Sequence, residues 1–280
     1  MAIVLTEKFA EKIDERYYPT SVSAYGTNQN YDWDGAQTIK VTSIGTTAMG
    51  DYNRSTGYGT VASADELSNT VQTLTLSKDR FFRAKLDKMD ENESKIKSGE
   101  VLGRELREVT IPEIEAYRFN VMCAKILENT TNGTEITATD SPYADFLEAN
   151  TYLDDLDVPD TTKIAFATPK WLGEIKKDSN FVKASEMGQK IVIKGQVGEI
   201  DGVAIVKVKA KWLATTLGTQ AYDCIIVDKN ATVAPMKLME YSANANHPDF
   251  SGTVFQGRFY YDAFVLEQKK LGLVGIKIAE

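Results

Sequence analysis

The segment from Gly45 to Thr70, GTTAMGDYNRSTGYGTVASADELSNT, most limits what this chain can fold into. It is rich in Gly, Ser and Thr and holds no lysine. It lies between two alternating runs, QTIKVTSI (37–44) and VQTLTL (71–76). A structureless connection of that length is uncommon inside a compact domain and is usually functional or disordered. From Tyr31 to Lys85 the chain can form a ribbon of about 25 residues per arm, reaching up to roughly 80 Å at about 3.3 Å per residue. A globule of 280 residues has a radius of gyration near roughly 19 Å. The ribbon therefore overreaches its own globule. An isolated two-stranded hairpin is marginal in water, so this one is expected to lie across another molecule.

The basic and apolar residues that follow, KDRFFRAKLDK (78–88), alternate with period two. Arg80, Phe82, Ala84 and Leu86 fall on one face, with Phe81, Arg83 and Lys85 on the other. The segment reads as the base of the ribbon. Before the ribbon, TEKFAEKIDERYY can form a short amphipathic helix that PTSVSAYGTNQN breaks. Residues 1–30 therefore read as an arm that needs something to dock on. The start has only a short apolar run and is not a secretory signal.

Helical signals follow. DENESKIKSGEVLGRELRE carries Glu91–Lys95, Glu93–Lys97 and Glu100–Arg104 at i, i+4. Thr110 and Glu113 make a capping box with Pro112 in the first turn. The helix expected there is apolar nearly all round and should be buried on several sides. Ser141-Pro142 and Thr168-Pro169 are N-cap signals for two further helices. KIAFAT, KIVIK, VAIVKVKA, YDCIIVD, TVAPMKLME, TVFQGRFYYDAFVLEQ and KLGLVGIKI read as strands. Strands and helices do not alternate regularly, so the class is α+β.

Chemistry is hard to find. The only histidine, His247, sits in NHPDFSG. Asp249 and Ser251 are near it in sequence, but Pro248 and the crowding oppose a productive triad. DDLDVPD (154–160) lacks the order of a calcium loop and reads as a solvated helix end. There is no Walker loop. Cys123 and Cys224 stand in apolar runs and read as buried free thiols. A net charge of -8 opposes tight nucleic-acid binding, which needs clustered Lys and Arg. No run of about 18 apolar residues is present, and no membrane partner is expected. No enzymatic activity, cofactor or metal is expected.

Three stretches, YDWDGAQTIKVTSIGTTAMGDYNRS (31–55), REVTIPEIEAYRFNVM (107–122) and QGRFYYDAFVLEQKKLGL (256–273), follow one another in an order that resembles major capsid proteins of tailed bacteriophages with the Hong Kong 97 type fold. The likeness covers nearly the whole chain. It implies an N-arm (1–30), an extended β-hairpin loop (31–88), a peripheral domain with a long spine helix (89–140 and 222–280) and an axial domain (141–221). It implies self-assembly into pentamers and hexamers of an icosahedral virion shell, built in the host cytoplasm. It further implies a separate scaffolding protein, a portal, and double-stranded DNA enclosed without specific binding. The candidate contacts between subunits are Asp51, Tyr52 and Arg54 near the loop tip, Arg80 and Arg83 at its base, and His247 and Asp249 in the polar loop 241–252. The alternatives are an encapsulin-like compartment and, from composition alone, an acidic-site hydrolase.

Overall fold

The computed structural model describes residues 21–28, 30–31, 38–47, 49, 52–58, 69–90, 98–178, 198–216, 219–244 and 251–278. In chain order the first elements are β1 (Thr38–Ile44), β2 (Asn69–Thr75), β3 (Lys78–Asp87), α1 (Ser98–Glu105), α2 (Ile111–Glu128), β4 (Glu135–Ile136) and α3 (Pro142–Asp155). Next come β5 (Lys163–Ala167), α4 (Pro169–Ile175), β6 (Glu199–Ile200), β7 (Val203–Lys207), β8 (Ala214–Thr216), β9 (Thr219–Gln220) and β10 (Tyr222–Asp228). The last are β11 (Thr232–Val233), β12 (Met236–Asn244), β13 (Gly252–Tyr261), β14 (Phe264–Val265) and β15 (Leu273–Lys277).

A six-stranded sheet of order β4-β15-β10-β5-β7-β6 forms the centre. All seven residues of β10 are buried, because helices cover both faces. That is why YDCIIVD is apolar without a clean alternation. Cys224 and Ile226 point to α3 and α4, against Phe146, Leu153, Trp171 and Ile175. Ile225 and Val227 point the other way, to Phe119, Met122 and Ile126 of α2. Each such fully buried side chain contributes about 1.5–3 kcal/mol. Ser141 and Thr168 cap α3 and α4 as their sequences predict, accepting from the N–H of Ala144 (3.4 Å) and Trp171 (3.3 Å). The Asp201-Gly202 pair turns β6 into β7 with both residues at positive φ, as a tight hairpin requires.

A second sheet, of order β12-β13-β3, packs on the first half of α2. There Ile114 and Tyr117 meet Phe259 and Tyr261. Helix α2 thus joins the two sheets, and burial on several sides follows.

Four expectations need correction. The capping box at Thr110 is absent. Thr110 is helical (φ -66°, ψ -52°) and its side chain caps nothing. A π turn at Leu106–Thr110 carries α1 into α2, with the Ile111 N–H donating to the Leu106 carbonyl five residues back. The wide turn accommodates Pro112, which has no N–H to give. Second, among the described residues the paired ribbon is Thr38 to Ile44 with Thr75 to Asn69, about 23 Å of strand. Third, Lys78–Asp87 leaves the ribbon and pairs along its full length with β13. The large sheet draws strands from both sides of residue 221, since β10 lies between β5 and β15.

Fourth, the expected strand 253–268 breaks at Asp262, where β13 ends and β14 pairs with β11 instead. Of the expected arm, residues 21–28 dock on the body. The buried Glu115 carboxylate accepts from the N–H groups of Val22 (2.9 Å) and Ser23 (2.8 Å) and from both serine hydroxyls, Ser21 (2.8 Å) and Ser23 (2.6 Å). Residues 1–20, the Glu91–Lys95 and Glu93–Lys97 pairs, and KIVIK lie outside the described residues.

Candidate assembly surfaces

The hairpin is fixed at its base and bare at its tip. At the base, Leu74 and Leu76 are buried with Val233 and Leu266. Gln72 is bonded at both ends of its amide: Nε2 donates to the Val265 carbonyl (3.1 Å), and Oε1 accepts from the Glu267 N–H (3.0 Å). The Tyr260 hydroxyl donates to the Leu76 carbonyl (2.9 Å). Asp262, itself buried, accepts from the backbone and hydroxyl of Ser77 and from the Tyr117 hydroxyl (2.7 Å). Burial, with the Asp262 carboxylate beside it, pushes the Tyr117 hydroxyl pKa up, so it stays a donor.

At the tip, Asn53 and Gly57 close a tight turn. The Gly57 N–H donates to the Asn53 carbonyl (2.7 Å), and the Ser55 N–H donates to Asn53 Oδ1 (2.8 Å). Gly57 has φ +63°, which a side chain at this position would strain. The turn brings the Tyr52 and Tyr58 rings edge to face, with centroids 5.0 Å apart. Met49 is fully exposed and Tyr58 97% exposed. Arg54, between them in sequence, is exposed.

The β12-β13-β3 sheet offers a second surface. Arg80 turns toward the helix side and pairs with Glu113 (2.7 Å). Both partners are solvated, so the pair is worth little. Phe81 and Arg83 take the other face, as the period-two reading expects. There they line a cavity of about 470 Å³ with Glu240, Ser242, Gln256 and Arg258. Phe81 is 80% exposed. Asp79 holds Arg258 through two bonds, 2.9 and 2.5 Å, which lowers the Asp79 pKa.

Of the seven sequence candidates, Tyr52 and Arg54 both lie in the 52–58 turn, and Arg80 and Arg83 lie on opposite faces of β3. Asp51, His247 and Asp249 lie outside the described residues. Sequence reasoning missed Asp262, Gln72 and Glu115. Each works through partners more than 90 residues away, and no local pattern marks them.

Enzyme-like features are sparse. Cys123 and Cys224 are fully buried, and burial raises both thiol pKa values, which disfavours a thiolate. Asp154 and Asp160 of the acidic run clasp the buried Lys163 ammonium. Among the described residues no three His, Cys, Asp or Glu gather to hold a metal. No helix among them is long and apolar enough to cross a membrane.

No family model matches the sequence, and no curated protein matches it. Solved structures do. A chain from Mycobacterium phage Che8 superposes with a TM-score of 0.74 at 13% identity, covering 97% of this chain and 96% of that one. The capsid of cyanophage P-SCSP1u gives 0.71 at 13% identity, covering 98% and 93%. The mature capsid of bacteriophage PhiM1 gives 0.68 at 12% identity, covering 99% and 93%.

The chain has the Hong Kong 97 type capsid fold. The match is to the arrangement of elements, since so few residues are shared. The matched fold spans essentially the whole of this chain. Among the described residues, the large apolar side chains left exposed include Met49, Tyr52, Tyr58 and Phe81.

Proposed function

We propose that this protein is the major head protein of a tailed bacteriophage, assembling into an icosahedral shell around double-stranded DNA. The observation that carries the reading is two-way coverage: the chain matches capsid structures over nearly its own length and nearly theirs. In this reading the β1–β2 hairpin is the extended loop. The α1–α2 helix is the spine, with the β12-β13-β3 sheet beside it, and the six-stranded sheet with α3 and α4 forms the axial part. The chemistry agrees. Exposed apolar groups at the tip of a fixed hairpin gain from burial only in an assembly. A chain of net charge -8 lines a container that repels packaged phosphate rather than trapping it. Repeated contacts between copies supply the stability. A separate scaffolding protein and a portal complete the set of partners, and the shell resides in the virion.

Negative-stain electron microscopy of the purified protein, with and without its neighbouring head genes, tests this. Closed shells that protect double-stranded DNA from nuclease are expected in the phage context. Monodisperse monomers under all conditions would overturn the reading. Shells that hold a protein cargo and no DNA would replace the phage by a cellular compartment.

A further inference from the structure

The far end of β7 carries a row of cations in an acidic chain. In KVKAKW (207–212), Lys207, Lys209 and Lys211 are exposed, while Val208 and Trp212 are buried with Phe119 and Leu213. The backbone stays extended past the end of β7: the Val208 N–H donates to the Ala167 carbonyl (2.9 Å), and Lys209 has φ -66° and ψ 133°. Lys207 and Lys209 therefore leave the same side of the chain about 6.6 Å apart, twice the rise of a strand. A single turn at Ala210–Trp212 sets Lys211 just beyond them. The Lys209 Nζ lies 5.9 Å from the centre of the Trp212 ring, a cation–π contact that orders its side chain. Among the described residues none of the three has a carboxylate partner.

Nearby acids of the same chain do not neutralise the row. Asp223, at this end of the sheet, is buried and accepts from Gln220 Nε2 (2.7 Å). Glu199 lies opposite Ala204 in the register, about 10 Å short of Lys207 along the strand. Asp154 and Asp160 hold Lys163 at the start of β5, which runs parallel to β7, so they sit at the opposite end. Asp201, just before β7, accepts from Asn150 Nδ2 (2.8 Å) and is about 20 Å from Lys207 along the strand. Exposed charges further apart than the Debye length, about 8 Å at physiological salt, are largely screened from one another.

We propose that this row docks an extended acidic segment of a second protein, one with carboxylates at every second residue. Two extended chains share one repeat, so alternate carboxylates of such a segment meet Lys207 and Lys209 in register. Duplex DNA suits the row less well. The row holds no arginine and no exposed aromatic, and a net charge of -8 opposes the dense charge of a duplex. The DDLDVPD run of a second copy suits it less well too, because Asp154 and Asp160 are spent on Lys163 and Asp157 sits at φ +57° in a turn. Contacts of this kind set partner choice and on-rate more than raw affinity. The docking concerns the single subunit and does not depend on the shell reading.

Fluorescence anisotropy of the purified full chain with a dye-labelled peptide of alternating Glu and Thr tests it. Binding at low salt is expected, weakening as salt is added. Lys207→Glu with Lys209→Glu is expected to lower the affinity by about tenfold. Lys229→Glu with Lys269→Glu makes the same charge change at exposed positions on the opposite end of the sheet, and is expected to lower it by less than about twofold. A peptide with the same Glu and Thr gathered into two blocks is expected to bind more weakly than the alternating one. No binding at low salt, equal losses in the two lysine pairs, or a block peptide as good as the alternating one would overturn the docking. Tighter binding of a DNA duplex of equal charge would overturn it in favour of a nucleic-acid surface. Tighter binding of a peptide of residues 151–161 would overturn it in favour of a contact between copies.

Discussion

Oδ2 of Asp262 accepts both the N–H (2.7 Å) and the hydroxyl (2.9 Å) of Ser77, a residue 185 positions earlier in the chain. Oδ1 accepts the Tyr117 hydroxyl (2.7 Å) and the Ala263 N–H (2.8 Å). One carboxylate thus ties the hairpin base, helix α2 and the corner between β13 and β14. Hydrogen bonds to a charged group are worth more than neutral ones, and losing the acceptor leaves buried donors unpaired. Asp262→Ala is expected to destabilise the subunit by about 3 kcal/mol, read as a lower urea midpoint. An unchanged midpoint would show that the base is held by packing alone.

Gly26 tests the docking of residues 21–28. A Cβ there would lie 2.6 Å from a ring carbon of the buried Phe166. The backbone on either side is fixed, because the Asn28 N–H donates to the Thr232 carbonyl (2.7 Å). Gly26→Ala is expected to cost about 1–3 kcal/mol through overpacking. It should also speed proteolytic removal of the N-terminal segment. Wild-type protease resistance in the variant would contradict this.

Much of the local structure was legible in the sequence because its causes are local. Ser141-Pro142 and Thr168-Pro169 start helices wherever the next turn needs a cap. The alternation in 78–88 placed Arg80 and Phe81 on opposite faces correctly. Partnership was not legible. The same alternation suits a ribbon and the edge of a three-stranded sheet, and only β13, some 170 positions later, decides between them. Thr110 carries every mark of a cap, yet the chain before it is already helical, so there is no free end to cap. A sheet can recruit β10 and β15 from far along the chain, which no local pattern in the sequence shows. Of the candidate contacts, Tyr52 and Arg54 lie exposed in the 52–58 turn, and exposure of a polar loop is a local property. Phe81 was placed on the right face, but Glu240 was not connected to it.

Lys163 offers a pH test. Burial by itself lowers its pKa, but hydrogen bonds to Asp154 and Asp160 outweigh that and raise it. Those bonds in turn hold Asp160 below its ordinary 3.8. A depressed carboxylate contributes stability above its unfolded pKa and loses it as pH falls through the lower folded value. A raised lysine contributes below 10.5 and loses it as pH rises through its higher folded value. The cluster's contribution is therefore flat from about pH 4 to about pH 10 and falls on either side. Thermal melts of the parent should show this fall below about pH 4, and Lys163→Met should flatten it. Equal acid sensitivity in both proteins would place the loss elsewhere.

The two thiols are expected to stay silent until the chain unfolds. Both are wholly buried, with pKa values raised by burial. Ellman's reagent should find no reactive thiol in the native subunit and two after denaturation. A disulfide-linked dimer from particles kept at physiological redox potential would refute the assignment.

The central claim is that the hairpin beyond its base serves other copies and not its own core. Replacing Gly45 to Thr70 with an Asn-Gly turn leaves Leu74, Leu76, Gln72 and Ser77 in place. It removes the exposed Met49, Tyr52 and Tyr58. Stability resides in buried area, so circular dichroism and the urea midpoint should match the parent within about 1 kcal/mol. Negative-stain microscopy of the same sample should show no closed shells. Normal shells from the shortened chain, or a shortened chain that cannot fold, would contradict the account.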